Sequence, residues 1–193
     1  MTGFKTYALA ASLMLSVVAG PAALAQVPIG QLSEDHVLAD GELTNEELAV
    51  VLLTAEKDLN SLLDQAIANV EKDVEAAGVF GPRAWMIMKD KEIKEVTFAD
   101  EASQAPPEMK LHMIRVSLKS LARHGGIDSA LIVYPGAMQK DDKSQRVVVV
   151  EHEHRLGVSG TKLIPLELNG GKVTFGAALS QKKPFQIFYD KKQ

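Results

Sequence analysis

The chain has 193 residues, with 21 Lys and Arg against 25 Asp and Glu, a formal charge of −4, and no Cys. Mild acidity without a basic cluster argues against nucleic acid or an anionic lipid surface as the main partner. The missing cysteines exclude disulfides, thiol catalysis and a lipid anchored through Cys.

The N-terminus reads as a secretory signal. Lys5 supplies a short positive region, Tyr7 to Val18 an apolar run, and Gly20-Pro21 a break before Ala23-Leu24-Ala25. That small-x-small pattern suits a signal peptidase cutting after Ala25. The alternative is an uncleaved anchor, but the apolar run is about a dozen residues, short of the ~20 needed to span a bilayer. Cleavage removes only Lys5 among the charges, leaving 20 basic against 25 acidic side chains in 168 residues. The expectation is an exported protein, periplasmic or extracellular, with no membrane span after cleavage and enough length to bury a core without disulfides.

Residues 26–43 show no sustained period and read as a flexible lead-in that contains His36. Thr44-Asn45-Glu46-Glu47 then forms a capping box. Apolar residues recur at Leu48, Leu52, Ala55, Leu59, Leu62, Ala66, Val70, Val74 and Ala77 in steps of three and four. Gly78 suits the C-cap. The spacing predicts a helix over 44–78 that is about 33 residues and ~50 Å long. A domain of the ~115 remaining residues has a radius of gyration near 13 Å, so such a helix overhangs it. Three resolutions stay open: a break near Asn60 or Asn69, a bend along the core, or burial of the stripe against a second copy through Leu48–Ala77.

Residues 79–189 read as an α+β domain. Arg83 to Met88, which includes Trp85, and Glu92 to Phe98 suggest a hairpin around Asp90-Lys91. Pro106-Pro107 opens a second helix whose apolar face is Leu111, Ile114, Leu118, Leu121 and Ala122, ending at Gly125-Gly126. Ala130 to Tyr134, Gln145 to Arg155, Thr161 to Leu168 and Lys172 to Phe175 are strand-like, with Pro135 to Ser144 as a polar loop. Asn169-Gly170-Gly171 is the clearest hairpin turn, and Pro165 suggests an edge strand or a bulge. Phe185 to Tyr189 adds a short terminal strand. The order α-β-β-α-β-β-β(-β) predicts an antiparallel sheet with the helices covering one face.

One stretch stands out chemically: Val147 to Gly157, V-V-V-V-E-H-E-H-R-L-G. Strand alternation puts Glu151, Glu153 and Arg155 on one face and His152 and His154 on the other. Two His at i and i+2 can reach one divalent transition metal if a third ligand, such as His112, His124 or a carboxylate, joins them. The plainer reading is a polar strand end with ion pairs among Glu151, Glu153 and Arg155. Met86, Met88, Met109 and Met113 fall in two elements expected to touch, and Trp85 beside them reads as core or as the wall of a pocket. Ser159 lacks the strand-to-helix setting of a nucleophile elbow, no phosphate-loop motif occurs, and Asp141-Asp142 lacks the spacing of a Ca²⁺ loop.

At Glu153-His154-Arg155-Leu156-Gly157, together with Phe80-Gly81-Pro82-Arg83-Ala84, the chain resembles a group of small uncharacterised bacterial proteins with an E-H-R-x-G strand motif. That resemblance covers about residues 45–176 and implies no activity. The element order is similar to roadblock/longin and profilin-like folds, which implies a scaffolding or sensing module, often dimeric; fold alone does not dictate function. The sequence therefore leads to two expectations. The first is a non-enzymatic exported binding module, self-associating through Leu48–Ala77, with Glu153, Arg155 and Trp85 as candidate contacts. The second is a metal-dependent hydrolase with His152 and His154 as ligands.

Overall fold

A computed structural model describes residues 44–99, 103–140 and 142–189. The expected leader and lead-in, His36, Asp100, Glu101 and Asp141 lie outside the described residues. Two long helices and seven strands make up the fold: α1 Asn45–Ala77, β1 Arg83–Met88, β2 Ile93–Glu95, α2 Pro107–Arg123, β3 Ile127–Lys140, β4 Lys143–His154, β5 Val158–Asn169, β6 Lys172–Phe175 and β7 Leu179–Lys182. The class is α+β and every strand pairing is antiparallel.

Helix α1 runs unbroken. The Thr44 hydroxyl accepts the Glu47 N–H while the Glu47 carboxylate accepts the Thr44 N–H, and Gly78 closes the other end at φ 75°. Its buried residues are Val51, Ala55, Leu59, Leu62, Ala66, Val70 and Val74: the expected stripe holds from Ala55 to Val74, while Leu48, Leu52 and Ala77 are exposed and Val51 is buried at the N-terminal end. The overhang is also present, and it falls at the N-terminus: Leu48, Val50, Leu52 and Leu53 are 38–65% exposed.

The sheet order is β2-β1-β3-β4-β5-β6, with β7 beside the first half of β5. The centre is the β3–β4 hairpin, in register from Ser129↔His154 to Lys140↔Lys143. Residues 135–140 and 142–144, expected as part of a loop, instead belong to the outer arm of this hairpin, with Asp142 at φ 59°. Pro135 is tolerated because β1 pairs with β3 only as far as Val133, leaving the β3 edge unpaired there. Pro165 is neither at a sheet edge nor in a bulge of its own pairing with β4. It sits where β5 changes neighbour from β7 to β6, and Gly176 approaches it closely. Gly170 and Gly171, at φ 59° and 82°, make the tight β5–β6 turn that the sequence announced.

The helices do not share a face of the sheet, which corrects the expected layering. Helix α1 meets Trp85, Ile87, Leu131, Val133, Val148, Val150, Ile164 and Leu166. Helix α2, through Ile114, Leu118 and Ala122, meets Ala84, Met86, Ala130 and Ile132. These two sets alternate along β1 and β3, so they point in opposite directions. Strands β1 and β3 are apolar on both sides because both sides are covered. The last strand also differs from expectation: β7 forms at Leu179–Lys182, while Phe185 to Tyr189 follows as an irregular segment.

Candidate functional site

Val147 to Val150 of β4 are buried on both faces. Beyond them the strand carries Glu151, His152, Glu153 and His154, still alternating and nearly as buried. Buried polar groups need partners, and the two faces meet that need differently.

On the α2 face, Glu151 Oε1 accepts from the Arg115 guanidinium at 2.6 Å and the Tyr134 hydroxyl at 2.7 Å. Burial, with the Glu151 charge beside it, pushes the Tyr134 phenol up to about 12. Glu153, wholly buried, accepts from Lys183 Nζ at 2.6 Å and from the backbone N–H groups of Gln186, Ile187 and Phe188 at 2.8, 2.9 and 3.2 Å. Its carboxylate holds the chain after β7 against the sheet, and the Tyr189 hydroxyl adds a bond to the Arg155 carbonyl. Arg155 itself lies past the end of β4 and faces Asp128 at 4.0 Å, not the two glutamates, so the expected Glu151–Glu153–Arg155 pairing does not form. Burial favours the neutral Asp128 carboxyl, but Lys89 at 2.6 Å and Lys91 at 3.0 Å outweigh it and hold the group below the ordinary carboxylate range.

On the α1 face, both nitrogens of His154 are engaged. Nδ1 accepts the Leu156 N–H at 3.1 Å, which assigns the proton to Nε2, 3.2 Å from Asp58 of α1. Burial holds His154 below its ordinary pKa despite Asp58. His152 lacks such support: its buried Nδ1 has no hydrogen-bond partner. The ring lies across Gly160, its cross-strand neighbour, where an added Cβ would come within 2.9 Å of Cε1 and Nε2. Burial pushes His152 down to about 4, and the charge of Lys162 adds to the effect.

His152 and Lys162 border a groove of about 270 Å³ between the N-terminal half of α1 and the sheet. Its walls are Leu52, Leu59 and Leu63 from the helix and Leu131, Val150 and Val158 from the strands, with Glu56 and Asn60 on the helix rim. Lys162 stands opposite Val150 on the helix-covered side of β5, in the row that also holds Val158, Gly160, Ile164 and Leu166. Among the described residues no carboxylate comes within ion-pairing distance of it.

The metal pair expected from the H-x-H pattern is not assembled. One histidine is tied at both nitrogens, and no group of three or more His, Asp or Glu able to hold an ion occurs among the described residues. His112 is exposed on α2, on the other side of the sheet, and His124 caps that helix with Nδ1 2.7 Å from the Ser120 carbonyl. Trp85 is 2% exposed in the core beneath Arg83, away from the groove lining. Lys162 went unnoticed in the sequence, although strand alternation places it among apolar neighbours.

No protein-family model matches the chain, and no curated protein and no solved structure resembles it significantly.

Proposed function

We propose that the chain is an exported, non-enzymatic interaction module whose working surface is the N-terminal half of α1 and the groove beside it. The observation that carries this reading is the exposure of four apolar side chains in the first turns of α1, Leu48, Val50, Leu52 and Leu53, with Leu52 also lining an open apolar groove. Elsewhere α1 buries its apolar stripe against its own sheet. Exposed apolar side chains gathered at one end of a helix beside an apolar groove suit a binding surface. The leader of residues 1–25 supports export. Among the described residues no helix is long and apolar enough to cross a membrane.

Self-association is the simplest use of this surface, because two copies bring two identical patches together. Light scattering on the purified protein tests it. The reading expects a dimer at micromolar concentration and a monomer after Leu53→Glu, which changes an exposed position and leaves the core intact. A monomer at high micromolar concentration without the substitution removes self-association from the account.

A further inference from the structure

We propose that the groove beside α1 binds a small organic anion with an apolar body, such as a medium-chain carboxylate, its head group held by Lys162 and His152. The inference rests on the reading of the groove as a binding surface and adds the chemistry of its occupant.

Three observations converge. The first is Lys162, part-buried and placed on the sheet face that α1 covers, between Gly160 and Ile164 in its own row. Other cations on the inner side of this fold have carboxylates: Arg83 has Asp73 and Glu95, and Lys91 has Asp58 and Asp128. A lysine turned inward without a carboxylate costs desolvation and returns nothing to the fold. A bound anion supplies the missing partner.

The second is His152, which lines the groove with Lys162 and whose Nδ1 is buried without a hydrogen bond. The ring has a prepared bed, because Gly160 opposite it leaves no Cβ in the way. A neutral imidazole packed over Gly160 has one N–H to donate, which fits a carboxylate oxygen.

The third is the shape. Away from Lys162 and His152 the walls are Leu52, Leu59, Leu63, Leu131, Val150 and Val158. A volume of about 270 Å³ lies just under the usual range for drug-sized ligands, about 300–1,000 Å³. The occupant is therefore small, with an unbranched or compact apolar body. Glu56 does not reverse the sign, since it is exposed on the helix rim where water screens it, while Lys162 is part-buried beside the ring.

The test is an NMR titration of the purified protein, observing the His152 ring protons and the methyls of Leu63, Val150 and Val158. Sodium octanoate is the probe, with octan-1-ol and octylammonium as controls. Octanoate is expected to produce saturable shifts at those groups. Octan-1-ol binds more weakly, and octylammonium produces none. Lys162→Met and, independently, Lys162→Gln weaken octanoate about tenfold, the worth of one charge-assisted hydrogen bond. Octanoate that leaves the groove unshifted, octylammonium that binds as well, or unchanged affinity in both lysine variants overturns the proposal. Light scattering separates this from the broader reading. A protein that associates but ignores octanoate loses the ligand and keeps the interaction surface.

Discussion

The two faces of β4 carry the same kind of buried polar sequence but differ in what lies beside it. On the α2 face, Glu151 and Glu153 draw donors from α2, from β3 and from the chain after β7. On the α1 face, His154 is fully engaged, but His152 Nδ1 lacks a hydrogen bond and the neighbouring Lys162 lacks a carboxylate, both beside a groove. Each face also leaves buried polar atoms without a hydrogen bond: Glu151 Oε2 and Arg115 Nε on the α2 face, His152 Nδ1 on the α1 face. His152 borders a groove large enough to admit a molecule, so a ligand there can supply a partner. The difference lies in the groove beside the open group, not in residue type or burial.

The contrast is broken most forcefully at Glu153. Replacing it by Ala leaves Lys183 and three backbone N–H groups around an empty site. Removing one member of a buried charged network costs about 3–5 kcal/mol. Urea denaturation is expected to show a loss of that size, together with faster amide exchange at Gln186 to Phe188. A loss under about 1 kcal/mol, on the order of an exposed ion pair, contradicts the structural role given to this face.

Acid sharpens the comparison from the other side. As pH falls below 6.5, an unfolded His152 takes up a proton, while the folded one stays neutral until about 4. The unfolded chain then binds more protons, so stability drops through that window. His154, also held below its ordinary pKa by burial, acts in the same direction. Each tenfold loss of proton affinity on folding is worth about 1.4 kcal/mol, so His152 contributes at most about 3 kcal/mol, and less where solvent reaches its open edge. Urea midpoints measured at pH 7, 6 and 5 are expected to fall in that order, with a shallower slope in His152→Leu. A flat profile means that neither imidazole is held neutral.

Local signals carried much of this fold in the sequence. The Thr44 box, the 3-4 stripe of α1 between Ala55 and Val74, Pro107 at the start of α2 and the Gly170-Gly171 turn each act within a few residues, and each appears where spacing placed it. The layering was not legible in the same way. Ala84 to Ile87 and Ala130 to Val133 are apolar at every position, so periodicity cannot say that helices lie on both sides. The β3–β4 arm was hidden for the opposite reason: beyond the core its residues are polar, and only the pairing of the two strands keeps them extended. At the site, alternation correctly separated the glutamates from the histidines. It could not supply their partners, because Lys183 and residues 186–188 lie at least 30 positions from Glu153 and Asp58 lies 96 from His154. The open state of His152 is a statement about what fails to approach it, which no local pattern encodes.

The central claim is that Lys162 serves a ligand and not the fold. Chemical denaturation of Lys162→Met beside the unchanged protein, without added ligand, tests it most directly. Exchanging an unpartnered inward cation for an apolar chain of similar length is expected to raise stability by about 0.5–2 kcal/mol, the usual gain when a site residue is relieved of its function. A loss of stability in Lys162→Met would show that the lysine has a structural partner and would contradict the account.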